Sequence, residues 1–363
     1  IRDSAASLGE YEQGLPILEQ LKLRYPEHKL LLTFFSPSGY EIKKNTSVAD
    51  VITYLPMDTK KNVREFLDAV NPKLVLFIKY EVWPNYLAAL KKRNIPTLLV
   101  SAIFKKEQIY FKWYGGFMRN ALKTFDKFYV QDENSKTLLN SIGLDNCAVT
   151  GDTRFDRVCK ILNADNRLEF MDNFKTTSHC FIAGSTWPED EKLIVDYINT
   201  SNHNLKFVIA PHNIKKEHSI HLKASITKPT LLYSEIEGRN MKNTQVLIVD
   251  TIGILTKIYS YATIAYVGGG FATGLHNTLE PAVFGIPVII GPKYKGFKEA
   301  EDLVSLGGLI PVTKQAELAQ KIDELYSNEN QRIDLGKINS TYIYKNKGAS
   351  TKIMEDLTNL LEH

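Results

Sequence analysis

The sequence predicts an α/β protein with two domains, each built around a parallel β-sheet. The chain has 363 residues, which is more than one domain of ordinary size needs. Short apolar runs alternate with helix-period segments along the whole length, as expected for strands joined by crossover helices. A polar stretch at 163–179 divides the pattern in two. We therefore expect domains at 1–162 and 180–345, joined by 163–179, with a helix at 346–363 packing back on the first domain.

Each predicted strand is a short apolar run, and each predicted helix places its leucines and valines on one face. In the first domain the strands are expected at 30–34, 51–55, 74–78, 97–101, 128–130 and 148–150, and helices at 15–25, 62–70 and 135–142. In the second, strands are expected at 180–183, 207–210, 246–249, 264–267 and 288–290, and helices at 189–199, 253–259, 277–284 and 314–326. A strand should also precede Gly9, although Arg2 and Asp3 are too polar for a core strand.

The charge and cysteine content exclude several classes of protein. A net charge of +4 is too small to favour nucleic acid, but it suits an anionic ligand or a membrane surface. The three cysteines show no metal-ligand spacing, which argues against a disulfide or zinc framework. No apolar run is long enough to span a bilayer, and we expect that an anchor segment can precede Ile1.

The most informative segment is "YVGGGFATGLHNTLEPAVFGIPVIIGP", which reads as a strand, a glycine-rich loop and a helix beginning near Asn277. Glycines such as Gly269 and Gly270 let the backbone approach a ligand, and a helix N-terminus attracts phosphate. Glu280 would then accept hydrogen bonds from ribose hydroxyls. The alternative is a tight strand–helix connection with a buried acid, and the neighbouring His276 and Asn277 favour the ligand site.

Three further loops should lie at the same edge of the second sheet. In "AGSTWPEDE", Ser185 and Thr186 fit a hydroxyl N-cap and an anion cradle equally well. In "IAPHN", His212 follows a strand-ending proline, and in "DTIGIL", Gly253 could expose backbone groups to a nucleobase. Each of these loops is a weak signal alone.

In the first domain, "SLGEYEQG" places Glu10 in a loop at the carboxyl end of a strand, where it could act as a general base. Glu12 is predicted to be a surface acid at the helix start, and Pro16 to lie in the first turn. Three further segments add polar groups. A hydroxyl-rich loop lies in "FFSPSGYE", the acid Glu81 in "KYEVWPNY" and the cation Arg154 in "TGDTRFD".

Taken together, these segments resemble the 3-deoxy-D-manno-octulosonic acid (Kdo) transferases of lipopolysaccharide synthesis. The motifs "AASLGEYEQG", "SPSG", "YLPMD", "EVWPN", "TGDTRFD", "AGSTWPEDE", "APHN" and "GLHNTLEPAVFGIPVIIGP" occur in family order over nearly the whole chain. The resemblance implies a GT-B fold, whose two domains face a cleft, and a CMP-Kdo donor. It also implies a lipid A precursor (lipid IVA) as acceptor at the cytoplasmic face of the Gram-negative inner membrane. Transfer would invert the anomeric centre without a metal or cofactor.

Carried over by position, the resemblance makes Glu10 the general base and gives Glu81 and Arg154 transition-state or substrate-orienting roles. Helix N-termini near Ser185 and Asn277 would stabilise the leaving phosphate. The residues expected at the CMP-sugar are Ser185, Thr186, Pro211, His212, Gly253, Ile254, Leu255, Gly269, Gly270, His276, Asn277, Thr278, Leu279 and Glu280. The residues expected at the acceptor are Ser36, Ser38 and Gly39.

Three positions depart from the family pattern. His212 stands where many members have arginine, Ile254 where an acid is common, and Lys79 where many have a second glutamate. Two alternatives therefore remain: another GT-B enzyme, such as a UDP-sugar transferase or 2-epimerase, and a non-catalytic nucleotide- or lipid-binding protein.

The segment "YFKWYGGFMRN" mixes aromatic residues such as Trp113 and Phe117 with Lys112 and Arg119. This mixture suits the interface of an anionic inner membrane, and it equally suits a partly buried helix with solvated lysines.

Overall fold

The computed structural model describes residues 2–5 and 8–361, without the side chains of residues 2–8, 38, 360 and 361. The chain forms two compact units, one of residues 1–157 and 346–363 and the other of residues 158–345. The segment 163–179, expected to connect the domains, lies inside the second unit, where it forms a helix at Glu169–Lys175.

Each unit contains a seven-stranded sheet whose paired strands are all parallel, which confirms the predicted fold class. The first sheet has the order β3-β2-β1-β4-β5-β6-β7 and the second β10-β11-β9-β8-β12-β13-β14. The strands are β1 (Arg2–Ala5), β2 (Leu31–Phe34), β3 (Val51–Tyr54), β4 (Val75–Ile78), β5 (Thr97–Ala102), β6 (Lys127–Val130), β7 (Cys147–Val149), β8 (His179–Thr186), β9 (Leu205–Pro211), β10 (Thr230–Leu232), β11 (Val246–Ile248), β12 (Ile264–Val267), β13 (Val288–Ile290) and β14 (Leu309–Pro311).

The expectation that Arg2 and Asp3 do not belong to a core strand is wrong. Arg2 pairs with Leu31 on one side and Val75 on the other, so β1 lies in the interior of the sheet. Backbone hydrogen bonds to two neighbours outweigh the weak strand propensity of the sequence.

Helices connect the strands along the chain. They are α1 (Leu8–Arg24), α2 (Pro37–Lys43), α3 (Lys60–Val70), α4 (Pro84–Lys92), α5 (Gly116–Leu122), α6 (Glu133–Asn140), α7 (Arg154–Leu162), α8 (Glu169–Lys175), α9 (Pro188–Thr200), α10 (Lys216–Ala224), α11 (Leu255–Tyr259), α12 (Leu279–Ala282), α13 (Lys298–Leu306), α14 (Gln315–Ser327), α15 (Glu329–Asn346) and α16 (Ala349–Leu361). Short 3₁₀ turns occur at Ile109–Phe111 and Tyr233–Glu235.

The last helix, α16, is part of the core of the first unit. Its buried Ile353, Met354 and Leu357 pack in one cluster with Leu18 and Leu21 of α1. Asp156 accepts hydrogen bonds from the backbone N–H groups of Gly348 and Ser350 at 2.5 and 2.7 Å, which fixes the start of α16.

Candidate functional site

Glu10 lies in the first turn of α1 rather than in a loop, and this corrects the sequence interpretation. The helix runs through Gly14 and Pro16, so Pro16 is in its interior and not in its first turn. Glycine and proline weaken a helix, but the buried face of α1, which includes Tyr11 and Leu18, offsets this cost. Ser7 of the "SLGE" motif lies outside the described residues. Glu10 itself is half-buried.

Glu12 is not the surface acid that the sequence suggested. It is partly buried, forms an ion pair with Arg157, and its carboxylate lies 3.7 Å from Lys43 Nζ. Its role in the described structure is to tie α1 to α2 and α7.

Glu10 shares its surroundings with Tyr80 and Arg154. Burial raises the pKa of Tyr80, the nearby Glu10 carboxylate raises it further, and the Arg154 guanidinium opposes both effects. The structure therefore brings together two of the predicted catalytic residues, together with a tyrosine that the sequence did not single out. We call Glu10, Lys79, Tyr80, Asp152 and Arg154 the Glu10 cluster.

Asp152 holds Arg154 by three hydrogen bonds. Arg154 Nε and Nη2 donate to Asp152 Oδ2 at 2.9 and 2.7 Å, and the Arg154 backbone N–H donates to Oδ1 at 2.9 Å. Burial favours a raised pKa for Asp152, but the charge and hydrogen bonds of Arg154 outweigh burial, and the pKa is lowered. The guanidinium thus keeps a fixed orientation with its charge partly balanced.

Two non-glycine residues at the ends of β4 and β5 have left-handed backbone conformations. Lys79 has φ 60° and Ser101 has φ 53°. Such conformations are unfavourable for residues with a Cβ and often occur at functional sites. At Lys79 the conformation places Nζ 5.0 Å from the centroid of the Tyr80 ring. Lys79, which stands where many Kdo transferases have a second glutamate, thus adds a cation to the Glu10 cluster.

Glu81 is 5% exposed and accepts a hydrogen bond from Trp83 Nε1 at 2.6 Å. The Trp83 ring contacts Phe35, with ring centroids 4.8 Å apart. In the described structure Glu81 thus positions an indole beside the "SPSG" segment.

The predicted acceptor residues Ser36, Ser38 and Gly39 lie at the start of α2. The Ser36 carbonyl accepts hydrogen bonds from Gly39 N and Tyr40 N at 3.3 and 3.4 Å, and Gly39 is buried. The Ser38 side chain lies outside the described atoms.

The motifs "YLPMD" and "EVWPN" meet in a helix cap that the sequence analysis did not detect. The Asp58 carboxylate accepts hydrogen bonds from Asn85 N and Tyr86 N, at 3.1 and 3.0 Å, at the start of α4. Asn85 Nδ2 in turn donates to the Asp58 carbonyl at 2.7 Å.

In the second unit, the glycine triplet is required by backbone packing. A Cβ on Gly268 would lie 2.3 Å from the Ser185 carbonyl oxygen, one on Gly269 2.1 Å from that of Gly274, and one on Gly270 2.7 Å from Gly291 Cα. A ligand is therefore not needed to explain Gly269 and Gly270, because backbone atoms of the protein itself occupy the space beside them. Gly253 differs: it has φ +91° and open space around its Cβ position.

Asp190 organises the start of α9 and the glycine-rich loop. It is fully buried and accepts hydrogen bonds from Tyr266 Oη, Gly269 N and Trp187 N, at 2.6, 2.8 and 2.9 Å. The next residue, Glu191, accepts from Thr186 Oγ1 at 3.0 Å and pairs with His218 at 2.9 Å.

These contacts argue against the expectation that Ser185 and Thr186 form an anion-binding site. The N-cap of α9 is Trp187, and the first turn already holds Glu189, Asp190 and Glu191. Their charge opposes a bound phosphate. The other expected helix, near Asn277, is the single turn α12, so neither helix start supplies a strong phosphate site.

Trp187, His212 and His276 form a three-ring stack at the carboxyl edge of the second sheet. His212 stacks on both other rings, with centroids 4.8 Å from Trp187 and 4.7 Å from His276. Trp187 Nε1 donates to His276 Nε2 at 2.9 Å. Burial, assisted by His212, lowers the pKa of His276 to about 4. The sequence singled out both histidines, but it did not indicate that the Trp187 indole would contact them.

The predicted nucleotide residues differ in what they offer a ligand. Glu280 is half-buried, and its carboxylate accepts from Thr256 Oγ1 at 3.0 Å and Asn277 Nδ2 at 3.2 Å. Thr278 and Leu279 have buried side chains, which leaves only their backbone for ligand contact. Pro211 is buried as well, while Gly253, Ile254 and Leu255 are partly or fully accessible.

Two features are absent from the described part of the chain. No group of three or more metal-ligating side chains is assembled among residues 2–5 and 8–361. Over the same residues, no helix combines the length and apolar character that a membrane span requires.

Comparisons with known proteins show which family the chain resembles. Residues 4–157 match the family described as "3-Deoxy-D-manno-octulosonic-acid transferase (kdotransferase)". The chain is 28% identical to the 3-deoxy-D-manno-octulosonic acid transferase of Haemophilus influenzae, over 99% of this chain and 86% of the relative. It is 29% identical to the enzyme of the same name from Aquifex aeolicus, over 89% and 84%.

Solved structures show the same fold at low sequence identity. UDP-GlcNAc 2-epimerase from Neisseria meningitidis superposes with a TM-score of 0.67 at 17% identity, over 99% of both chains. MurG from Acinetobacter baumannii gives a TM-score of 0.59 at 10% identity, also over 99% of both chains. The fold is GT-B, and the predicted resemblance is confirmed: the chain is similar to the Kdo transferases over most of its length.

Proposed function

We propose that this glycosyltransferase, as a relative of the Kdo transferases, moves Kdo from CMP-Kdo to a lipid A precursor (lipid IVA). The transfer inverts the anomeric centre and uses Glu10 as general base, without a metal or cofactor. The observation that carries the proposal is the Glu10 cluster, in which a half-buried carboxylate shares its surroundings with Tyr80 and Arg154.

In this mechanism Glu10 accepts the proton of the acceptor's primary hydroxyl as the hydroxyl oxygen attacks the anomeric carbon. The bond from that carbon to the phosphate oxygen breaks, and CMP leaves. Arg154, held by Asp152, and Lys79 balance the negative charge of the donor sugar's carboxylate. Glu81 would orient the substrates indirectly, because it holds the Trp83 indole by a hydrogen bond.

The second unit would hold the CMP portion of the donor. Glu280, braced by Asn277 and Thr256, presents acceptor oxygens to ribose hydroxyls. The exposed turn at Gly253 presents backbone groups to the base. His212 and His276 would contact the phosphate. They would do so in place of the family's arginine and of the starts of α9 and α12, which are poorly suited to bind an anion.

The direct test incubates the protein with CMP-Kdo and lipid IVA and determines the product mass. We expect one or more Kdo residues to be added to lipid IVA. Thermal stabilisation by CMP but not by UDP distinguishes this function from a UDP-sugar transferase or 2-epimerase. CMP binding without product under all conditions would favour a non-catalytic binding protein.

We also propose that the first unit binds the cytoplasmic face of an anionic inner membrane, where its acceptor is found. Trp113, Tyr114 and Phe117 have exposed fractions of 90%, 61% and 73%. Arg119 donates to the carbonyls of Tyr110 and Lys112, at 3.2 and 2.6 Å, and so holds this segment in shape. Exposed aromatic rings beside lysine suit a headgroup interface. Flotation with anionic and neutral vesicles tests this, and absence of binding to both would contradict it.

A further inference from the structure

The two ring nitrogens of His276 have different surroundings. Nε2 lies 2.9 Å from Trp187 Nε1. An indole N–H can only donate, so Nε2 must be the acceptor and the proton of the neutral ring lies on Nδ1. Nδ1 has no hydrogen-bond partner among the described residues and is not sealed from solvent.

The stack holds this arrangement in place. Trp187 and His276 are nearly coplanar, with an interplanar angle of 14° and centroids 6.4 Å apart, as expected for rings joined edge to edge by a hydrogen bond. His212 covers both rings from one side. His276 therefore has little freedom to rotate or to exchange its tautomer.

Two titratable groups act on His276 from neighbouring elements. His212, at the end of β9, disfavours a second positive charge, and Asp190, in the first turn of α9, favours one. Burial is the largest influence and keeps the imidazole uncharged at neutral pH. His276 is thus a neutral donor and not a cation.

We propose that Trp187 is a positioning residue that locks His276 in its Nδ1–H tautomer, so that His276 donates a hydrogen bond to a phosphate oxygen of the bound nucleoside monophosphate. This inference rests on the proposed function, because it takes CMP as the ligand of the second unit. An uncharged N–H group can donate a hydrogen bond to a phosphate oxygen, and a hydrogen bond to a charged acceptor is stronger than one between neutral groups.

Two substitutions of His276 separate its nitrogens. His276→Asn places an amide N–H close to the position of Nδ1, whereas His276→Gln keeps an acceptor for Trp187 near Nε2 and removes the Nδ1 donor. We expect His276→Gln to weaken CMP binding about ten- to a hundredfold, as for a hydrogen bond to a charged group, and His276→Asn to stay within about threefold of the unsubstituted protein. Cytidine, which lacks the phosphate, should bind all three proteins equally.

The exposed His221 of α10 supplies the control, because His221→Gln should not change the affinity for CMP. Equal CMP affinity in the Asn and Gln variants, or equal losses for CMP and cytidine, would overturn the inference. Melting temperatures of all variants identify any loss that comes from unfolding.

The positioning role of Trp187 has its own readout. In ¹⁵N-histidine NMR spectra, the His276 nitrogens should show the Nδ1–H tautomer in the unsubstituted protein and a mixture or the Nε2–H tautomer in Trp187→Phe. An unchanged tautomer in Trp187→Phe would contradict the role of the indole. Failure of the protein to bind CMP at all would refute the proposed function, while the NMR result would still decide the tautomer.

Discussion

The two candidate sites, one in each unit, are built from different kinds of residue. The Glu10 cluster consists of charged side chains, with Asp152 orienting Arg154 and Lys79 lying over Tyr80. The site of the second unit consists of a ring stack and glycines packed against backbone, and its buried Asp190 serves the protein's own N–H groups.

The difference indicates a division of labour. A site that moves a proton needs ionisable groups whose charges are offset but not eliminated, and the first unit provides these. A site that holds a nucleotide through a reaction needs a rigid frame, which close packing provides. Substitutions should accordingly affect rate in the first unit, and stability or affinity in the second.

The largest expected effect is on catalysis. Glu10→Gln should reduce the transfer rate from CMP-Kdo about 10²–10⁴-fold, because the proposed general base is lost, and it should leave CMP affinity unchanged. Glu19→Gln, on the exposed face of the same helix, is the control. A near-normal rate for Glu10→Gln would refute the assignment of the base.

A glycine substitution tests the rigid frame. Gly268→Ala should destabilise the protein by about 3 kcal/mol or more, at the upper end for overpacking, because its Cβ would meet backbone atoms at 2.3–2.8 Å. Gly116→Ala is the matched control, since the nearest atom to its Cβ is Arg119 Nη2 at 3.9 Å, an ordinary van der Waals distance. Denaturant unfolding measures both, and equal stability of the two variants would contradict the packing argument.

Asp152→Asn tests whether the charges of the first unit also stabilise it. We expect a loss of about 1–3 kcal/mol at pH 7, less than for a fully buried pair because Arg154 is 22% exposed. The native pKa of Asp152 is lowered, so its carboxylate stabilises the fold above the unfolded pKa of about 3.9, and this contribution disappears as the pH falls through the native pKa. The difference between the two proteins should therefore shrink in acid.

Urea unfolding from pH 7 to pH 3 measures this difference, with the exposed Asp145→Asn as control. A difference that stays constant or grows as the pH falls would contradict the role of the carboxylate charge.

The smallest expected effect concerns the exposed aromatic residues. Replacing Trp113 and Phe117 by serine should reduce binding to anionic vesicles about fivefold and leave the melting temperature unchanged, because both side chains are exposed. Ile333→Ser, at a 57% exposed position of the second unit, is the control. Undiminished flotation of the double variant would show that another surface binds the membrane.

Local patterns in the sequence predicted the fold well. Apolar runs identified most of the parallel strands but not β10 and β14, whose three residues include Thr230 and Pro311 and so interrupt the apolar pattern. The predicted start of α1 was too late, because Gly9, Gly14 and Pro16 are poor helix formers. In the structure, burial of one face of α1 outweighs their low helix propensity.

The candidate site was predicted less completely than the fold. Motif order indicated Glu10, Arg154, His212 and His276, yet the hydrogen bond between Trp187 and His276 joins residues 89 positions apart. The role of the glycine triplet also depends on which backbone lies opposite, as Gly291 does for Gly270. Such contacts are set by tertiary packing and leave no periodic signal in the chain.

The return of α16 to the first unit has a consequence for synthesis on the ribosome. The second unit is one continuous segment, so all its strands have been made before α16 emerges. The first unit, by contrast, must wait for Ile353, Met354 and Leu357 to seal the face of α1. A nascent chain therefore carries an unsealed apolar surface on α1 until α16 has emerged, and that surface is where chaperones would be expected to bind.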